Sequence, residues 1–157
     1  MSNHRAGVVV VGEKVSVVYA EVPSNENDPI TILGEISWTL QQGDRSEALS
    51  VLHLRCQNFC ENNKLQMVII KASALSLSGV KLAILESAEV RGVVIAAAAS
   101  KTKVQILSKA MISRTYGDRK VDEYLKDDSF WNQKFTGAKL KIASREAAML
   151  IIASRKS

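Results

Sequence analysis

Residues 7–22 read G-V-V-V-V-G-E-K-V-S-V-V-Y-A-E-V. β-Branched side chains suit a half-buried pleated surface, and two such runs around the Gly-containing turn G-E-K predict a β-hairpin. Pro23 to Pro29 (P-S-N-E-N-D-P) is the most turn-rich stretch of the chain and predicts a polar loop. Ile30 to Leu40 alternates well enough to be a third strand, antiparallel to the second.

Downstream the period changes. Asp44-Arg45-Ser46-Glu47 has the form of a helix start, an Asp cap with Glu three residues on. Leu49, Leu52, Cys56, Phe59 and Cys60 then share one helical side, and the helix should end at Asn62-Asn63. Leu65 to Lys71 is a short apolar run of the kind found in strands covered on both faces. Val80 to Arg91 reads as a helix, which Val93 to Ala99 either prolongs or follows. Val104 to Leu107 predicts a short strand, Asp118 to Lys126 a short helix, Asp128 to Gly137 a loop, and a last helix begins at Ser144. Periodicity alone thus supports a mixed α/β sheet.

The bulk composition fits one domain over residues 1–157, with 1–6 expected as a flexible tail. The chain is 46% hydrophobic and 24% charged with 2 Pro, as in soluble globular proteins. Its longest near-apolar stretch, Gly92 to Ala99, is far below the roughly 20 residues a membrane span needs. No membrane role is expected, and the chain reads as cytoplasmic. Charge is uneven. Residues 1–100 carry 8 basic and 10 acidic side chains, net −2, whereas residues 101–157 carry 13 basic and 6 acidic, net +7. A basic half is what phosphate contacts require, because neutralising phosphates releases counterions; a merely solvated surface would look the same. Lys101, Lys103, Lys139, Lys141, Arg155 and Lys156 are the candidate nucleic-acid contacts.

Other chemistry is sparse. Cys56 and Cys60 lack a second pair to complete a zinc site and read as buried thiols. The two histidines, His4 and His53, are unpartnered, and Ser73, Ser76 and Ser78 have no nearby His to activate them. Gly12-Glu13-Lys14 lacks the pattern of a phosphate loop. No cofactor is expected. Trp38, Tyr116, Tyr124, Phe130 and Trp131 could stack on bases, though aromatic residues more often fill cores. Phe130-Trp131 either plugs the core or anchors a partner chain.

Three stretches resemble the RuvC Holliday-junction resolvases. Leu82 to Ala98, L-A-I-L-E-S-A-E-V-R-G-V-V-I-A-A-A, is similar to that family's …L-G-Q-A-R-G-V-A-I-A-A helix. Ile112 to Leu125 resembles the segment before the family's last helix. E-A-A-M-L-I-I-A, starting at Glu146, occupies the place of its D-A-A-D-A-L-A-I-A helix. A β-meander followed by alternating helices and strands is also the order of the RNase H-like fold. The resemblance implies an α/β, RNase H-like (RuvC-like) mixed sheet of about five strands flanked by helices, with Val8–Val11 beside Met67–Ile70.

Those resolvases cut DNA with two magnesium ions held by four carboxylates, since two hard cations need several oxygen ligands. Carried over residue by residue, the resemblance puts the first-strand Asp at Val10, the central-strand Glu at Lys71, and the last helix's two Asp at Arg145 and Ala148. It implies that these four positions cluster, that all four ligands are gone, and that no metal is held. Cations at Lys71 and Arg145 oppose a bound metal, by roughly 1 to 4 kcal/mol per pair near a surface. Glu146, one helical step from Arg145, is expected to face away. The leading reading is a catalytically silent RuvC-like binding module whose partner is nucleic acid, a second copy or another protein. Two readings compete with it. One is a metal-dependent nuclease with carboxylates relocated among Glu13, Glu35, Asp118, Asp122 and Glu146. The other is an unrelated α/β structural or interaction protein.

Overall fold

The valine run forms the expected hairpin. In a computed structural model, which describes residues 3–74, 79–116 and 120–155, strand β1 (Asn3–Val11) pairs antiparallel with β2 (Lys14–Val22). Gly12 opens the two-residue turn at φ 59°, a conformation that favours glycine. β1 begins earlier than expected. Asn3 and His4 are paired to Val22 and Glu21, so the flexible tail assigned to residues 1–6 is corrected: from Asn3 onward it is strand. The hairpin partner supplies backbone hydrogen bonds that composition alone does not reveal.

Strand β3 (Ile30–Thr39) follows antiparallel to β2, and helix α1 (Arg45–Asn62) starts where expected, with the Asp44 carboxylate accepting from the Glu47 amide. Strand β4 (Met67–Lys71) lies parallel to β1, with Arg5–Val8 paired to Met67–Ile70. Helix α2 (Leu82–Ala99) is continuous, so Val93 to Ala99 prolongs it, and it leads to the parallel strand β5 (Lys103–Leu107).

The remainder departs from expectation. Helix α3 (Lys109–Tyr116) occupies a stretch that showed no clear period, and α4 (Val121–Leu125) is the described part of the helix expected over Asp118 to Lys126. The loop expected at Asp128 to Gly137 is instead helix α5 (Asp128–Lys134) and strand β6 (Phe135–Gly137). Asp127 caps α5 by accepting from the Phe130 amide, and the burial of Trp131 and Phe135 fixes both elements. Helix α6 (Ile142–Ser154) begins two residues before Ser144. The sheet therefore has six strands in the order β5-β4-β1-β2-β3-β6. No helix among the described residues is long and apolar enough to cross a membrane.

Strand alternation divides the core in two. Val8, Val10, Val68 and Ile70 face α1 and α2, together with Leu52, Cys56, Val90 and Val94. Val9, Val18, Ile69 and Ile32 face α6, together with Met149, Leu150 and Ile151. The thiols of Cys56 and Cys60 are free and buried at the α1–α2 contact; a hydrogen bond to Cys60 and burial push the Cys56 thiol well above its ordinary range. On the other face α6 lies so close to β1 that a Cβ on Gly7 would sit 1.9 Å from the Ala147 carbonyl oxygen. Gly7 is therefore what lets the helix seat.

Candidate functional site at the carboxyl end of the parallel strands

β1 and β4 run side by side and end together, and α6 descends antiparallel across them. Glu146 lies at the Lys71 end, Ala147 against Gly7, and Ser154 beside Arg5 near the start of β1. This topology brings Lys71 and the first turns of α6 to one place. The Lys71 ammonium donates to the Glu146 carboxylate, and each side chain is 24% exposed. Glu146 thus faces the strand ends, correcting the expectation that it points away. Helix α6 is seated on Gly7 through Ala147, and the residue before that contact is the one aimed at β4.

The other positions carried over from the resemblance scatter. Val10 is buried among the α1/α2 side chains; the β1 residues on Lys71's face are Val9, which is buried, and by alternation Val11, which is 71% exposed. Arg145 turns away from Lys71. It donates to the Leu125 carbonyl at 2.9 Å, pairs with Asp128 at 2.8 Å, and lies 5.3 Å from the Trp131 ring centroid. Ala148 is fully buried in the core. The clustering of Val10, Lys71, Arg145 and Ala148 is accordingly replaced by a pair, Lys71 with Glu146. One helical step on α6 and one strand step on β1 separate the two arrangements.

A second cation organises the strand ends from the opposite face. Arg91 of α2 donates to the Val10 carbonyl at 2.9 Å and to the Ser73 hydroxyl at 2.6 Å. Burial lowers its pKa from the ordinary value, as expected for a cation with its Nε enclosed. This contact had no signal beyond an Arg inside an apolar helix.

The relocated-carboxylate candidates do not converge. Glu13 is near Arg45 at 3.8 Å, Asp122 pairs with Lys109 at 3.1 Å, Glu35 is on β3, and Asp118 lies outside the described residues. Among the described residues no group of three or more His, Cys, Asp or Glu could hold a metal ion. A pair of magnesium ions therefore does not fit here: the face presents a single carboxylate already engaged by an ammonium group.

The basic candidates divide between the two ends of the sheet. Lys103 pairs with the first residue of β4, Lys101 is bound to Glu61, and Arg155 follows Ser154, all at the amino end. Arg155 is not available for phosphate: its guanidinium donates to the carbonyls of Pro23, Asn25 and Asp28. Lys139 and Lys141 are exposed just before α6, at the carboxyl end, and Lys156 lies outside the described residues. The candidates brought together by composition thus form two separate groups in space. The aromatic candidates are internal. Trp38, Tyr124 and Trp131 are buried, Phe130 packs against Tyr124 and Trp131, and the Tyr116 side chain and Ser76 and Ser78 lie outside the described residues. Phe130-Trp131 plugs the core.

No family model matches the sequence, and no curated protein matches it. Solved structures do match by shape. RuvC of Thermus thermophilus superposes with a TM-score of 0.73 at 11% identity, covering 96% of this chain and 92% of that one. The same organism's RuvC in complex with a Holliday junction substrate gives 0.71 at 11% identity, covering 96% and 91%. The yeast mitochondrial Holliday junction resolvase gives 0.70 at 11% identity, covering 98% of this chain and 79% of that chain. Six strands in this order, flanked by helices on both faces, with these neighbours over nearly the whole chain, make this an α/β protein of the RNase H-like, RuvC-like fold.

Proposed function

We propose that this chain is a catalytically silent RuvC-like protein that binds nucleic acid weakly and without sequence preference. The observation that carries the proposal is the Lys71–Glu146 ion pair at the carboxyl ends of β1 and β4. A metal site gathers several carboxylates and leaves them deprotonated and free to coordinate. Here the one carboxylate on that face is neutralised by a side chain, so neither ion of a two-metal mechanism has a ligand set. The exposed Lys139 and Lys141 beside that end offer phosphate contacts, which carry affinity but no sequence information. The coarse link to nucleic acid comes from the fold: one of the solved neighbours holds a Holliday junction substrate.

The test is a salt-titrated binding assay with duplex, four-way and single-stranded DNA and RNA, run with and without Mg²⁺ alongside a cleavage time course. The expected result is no cutting and a log–log salt slope of about −2 if two lysines supply the contacts. Lys139→Ala with Lys141→Ala should flatten that slope. Mg²⁺-dependent cutting that Glu146→Ala or Asp122→Ala abolishes would establish the relocated-carboxylate nuclease instead. Binding that ignores salt would remove nucleic acid as the partner.

A further inference from the structure

The two edges of the sheet are protected differently. β5 is five residues long and is approached by the charged Lys101 and Lys103, two ordinary ways of blunting an edge. β3 is ten residues long, and β6 covers only Ile30, Thr31 and Ile32. Leu33 is the extra residue of a bulge, set between the pairs Ala20–Ile32 and Tyr19–Gly34, and it marks where the cover ends. From Gly34 to Thr39 no strand pairs with the outer side of β3 among the described residues.

The direction of the backbone groups in that stretch follows from the hairpin. A two-residue turn makes Val11–Lys14 a hydrogen-bonded pair, so alternation turns Val15 and Val17 of β2 toward β3, where they meet Trp38 and Ile36. The Leu40 amide, which donates to the Glu13 carbonyl at 2.9 Å, continues that inward set. Glu35, Ser37 and Thr39 therefore direct their N–H and C=O groups outward. The stretch has no Pro, Lys or bulge to discourage pairing. Beside it runs an apolar groove of about 380 Å³ between β3 and α1, lined by Ile36, Trp38, Val51, Leu54 and Phe59. Ile36 is 41% exposed and Leu54 57%.

We propose that this edge pairs antiparallel with the same edge of a second copy, about a two-fold axis at Ser37, to give one continuous sheet through both subunits. The sequence is self-complementary in that register. Ser37 faces the second Ser37, Glu35 faces Thr39, and Ile36 faces Trp38 above the groove, in the closer non-hydrogen-bonded type of pair. The outward groups then exchange about six backbone hydrogen bonds. A centre at Glu35 would set two carboxylates against each other. A centre at Ile36 would bring Leu40 of the second copy against Ile32, whose carbonyl already accepts from Ala138 at 3.1 Å. The register at Ser37 avoids both.

The test is sedimentation velocity on the full chain over a range of concentrations, with two variants. The expected result is a reversible dimer that grows no further. Ser37→Pro removes an outward N–H that the monomer does not use, so the fold should survive while dimerisation weakens by about 30-fold or more. Ser37→Cys should form a disulfide-linked dimer on mild oxidation, because facing Cα atoms of a hydrogen-bonded pair lie roughly 5.5 Å apart. The parent protein, with Cys56 and Cys60 buried, should not. A protein monomeric at every concentration, a dimer that Ser37→Pro leaves intact and Ser37→Cys fails to cross-link, or open-ended growth would each overturn the proposal.

Discussion

The two faces of the sheet are built by different means. One is covered by α1 and α2, each 18 residues long, whose apolar side chains meet Val8, Val10, Val68 and Ile70. The other is covered by the 13-residue α6, with the short α3, α4 and α5 filling in around Trp131 and Phe135. The first face is ordinary helix-on-sheet packing. The second contains the polar contacts that tie the molecule together: Lys71 with Glu146, Arg145 with Asp128 and Leu125, and Arg5 with Ser154. A face made of short elements depends on such contacts more heavily than one made of long helices.

Trp131 is where the two faces should part most clearly. Its indole donates to the Tyr124 carbonyl at 2.9 Å and stacks on Phe135 at 4.4 Å between ring centroids. Trp131→Ala should cost about 3–5 kcal/mol, and hydrogen exchange should show protection lost in α4 and α5 while α1 keeps its own. Equal loss in α1 would mean that the two faces are not separable. Next in size is Gly7→Ala, which drives a methyl group into the Ala147 carbonyl and should cost about 1–3 kcal/mol by denaturant unfolding. Gly92→Ala, on α2 with nothing within 4 Å of an added Cβ, should instead stabilise slightly.

Lys71→Glu tests the ion pair. Two carboxylates would then meet at the strand ends, costing about 1–2 kcal/mol near the surface. Mg²⁺ or Mn²⁺ should recover part of the lost Tm in this variant and leave the parent protein unchanged. The smallest effect concerns Asp44. Hydrogen bonds from the Ser46 hydroxyl and the Glu47 amide hold its carboxyl below the usual range, so the unfolded chain binds its proton more readily. Its contribution is therefore complete above the ordinary carboxylate pKa of about 3.9, and is lost as pH falls through the lower native value. Asp44→Asn should keep the cap and remove that part of the acid sensitivity, as read by Tm against pH.

The α1/α2 face was legible because its elements are long. The valine hairpin, the Asp44 cap and the Leu52, Cys56 and Cys60 spacing each repeat a period often enough to be read. The α6 face was not. The seven residues of α5 and three of β6 carry too few periods, and the polar residues on either side of Phe130-Trp131 resemble a loop until Trp131 is seen to be buried. The site was half legible. Lys71 was placed at the end of an interior strand, but a one-residue step decides which side chain faces it, and no spacing rule distinguishes Glu146 from Arg145 or Val10 from its neighbours. Only the seating of Ala147 on Gly7 fixes that step.

That same helix has a consequence for the order in which the molecule forms. Val9, Val18, Ile32 and Ile69 belong to strands complete by residue 71, yet the cover for them comes from residues 142–154. During synthesis the sheet's α6 face stays bare until those residues emerge, while α1 and α2 can already dock on the other. Contacts spanning most of the chain are slow to close, and an exposed apolar sheet face in the interval is a binding site for chaperones and a route to aggregation.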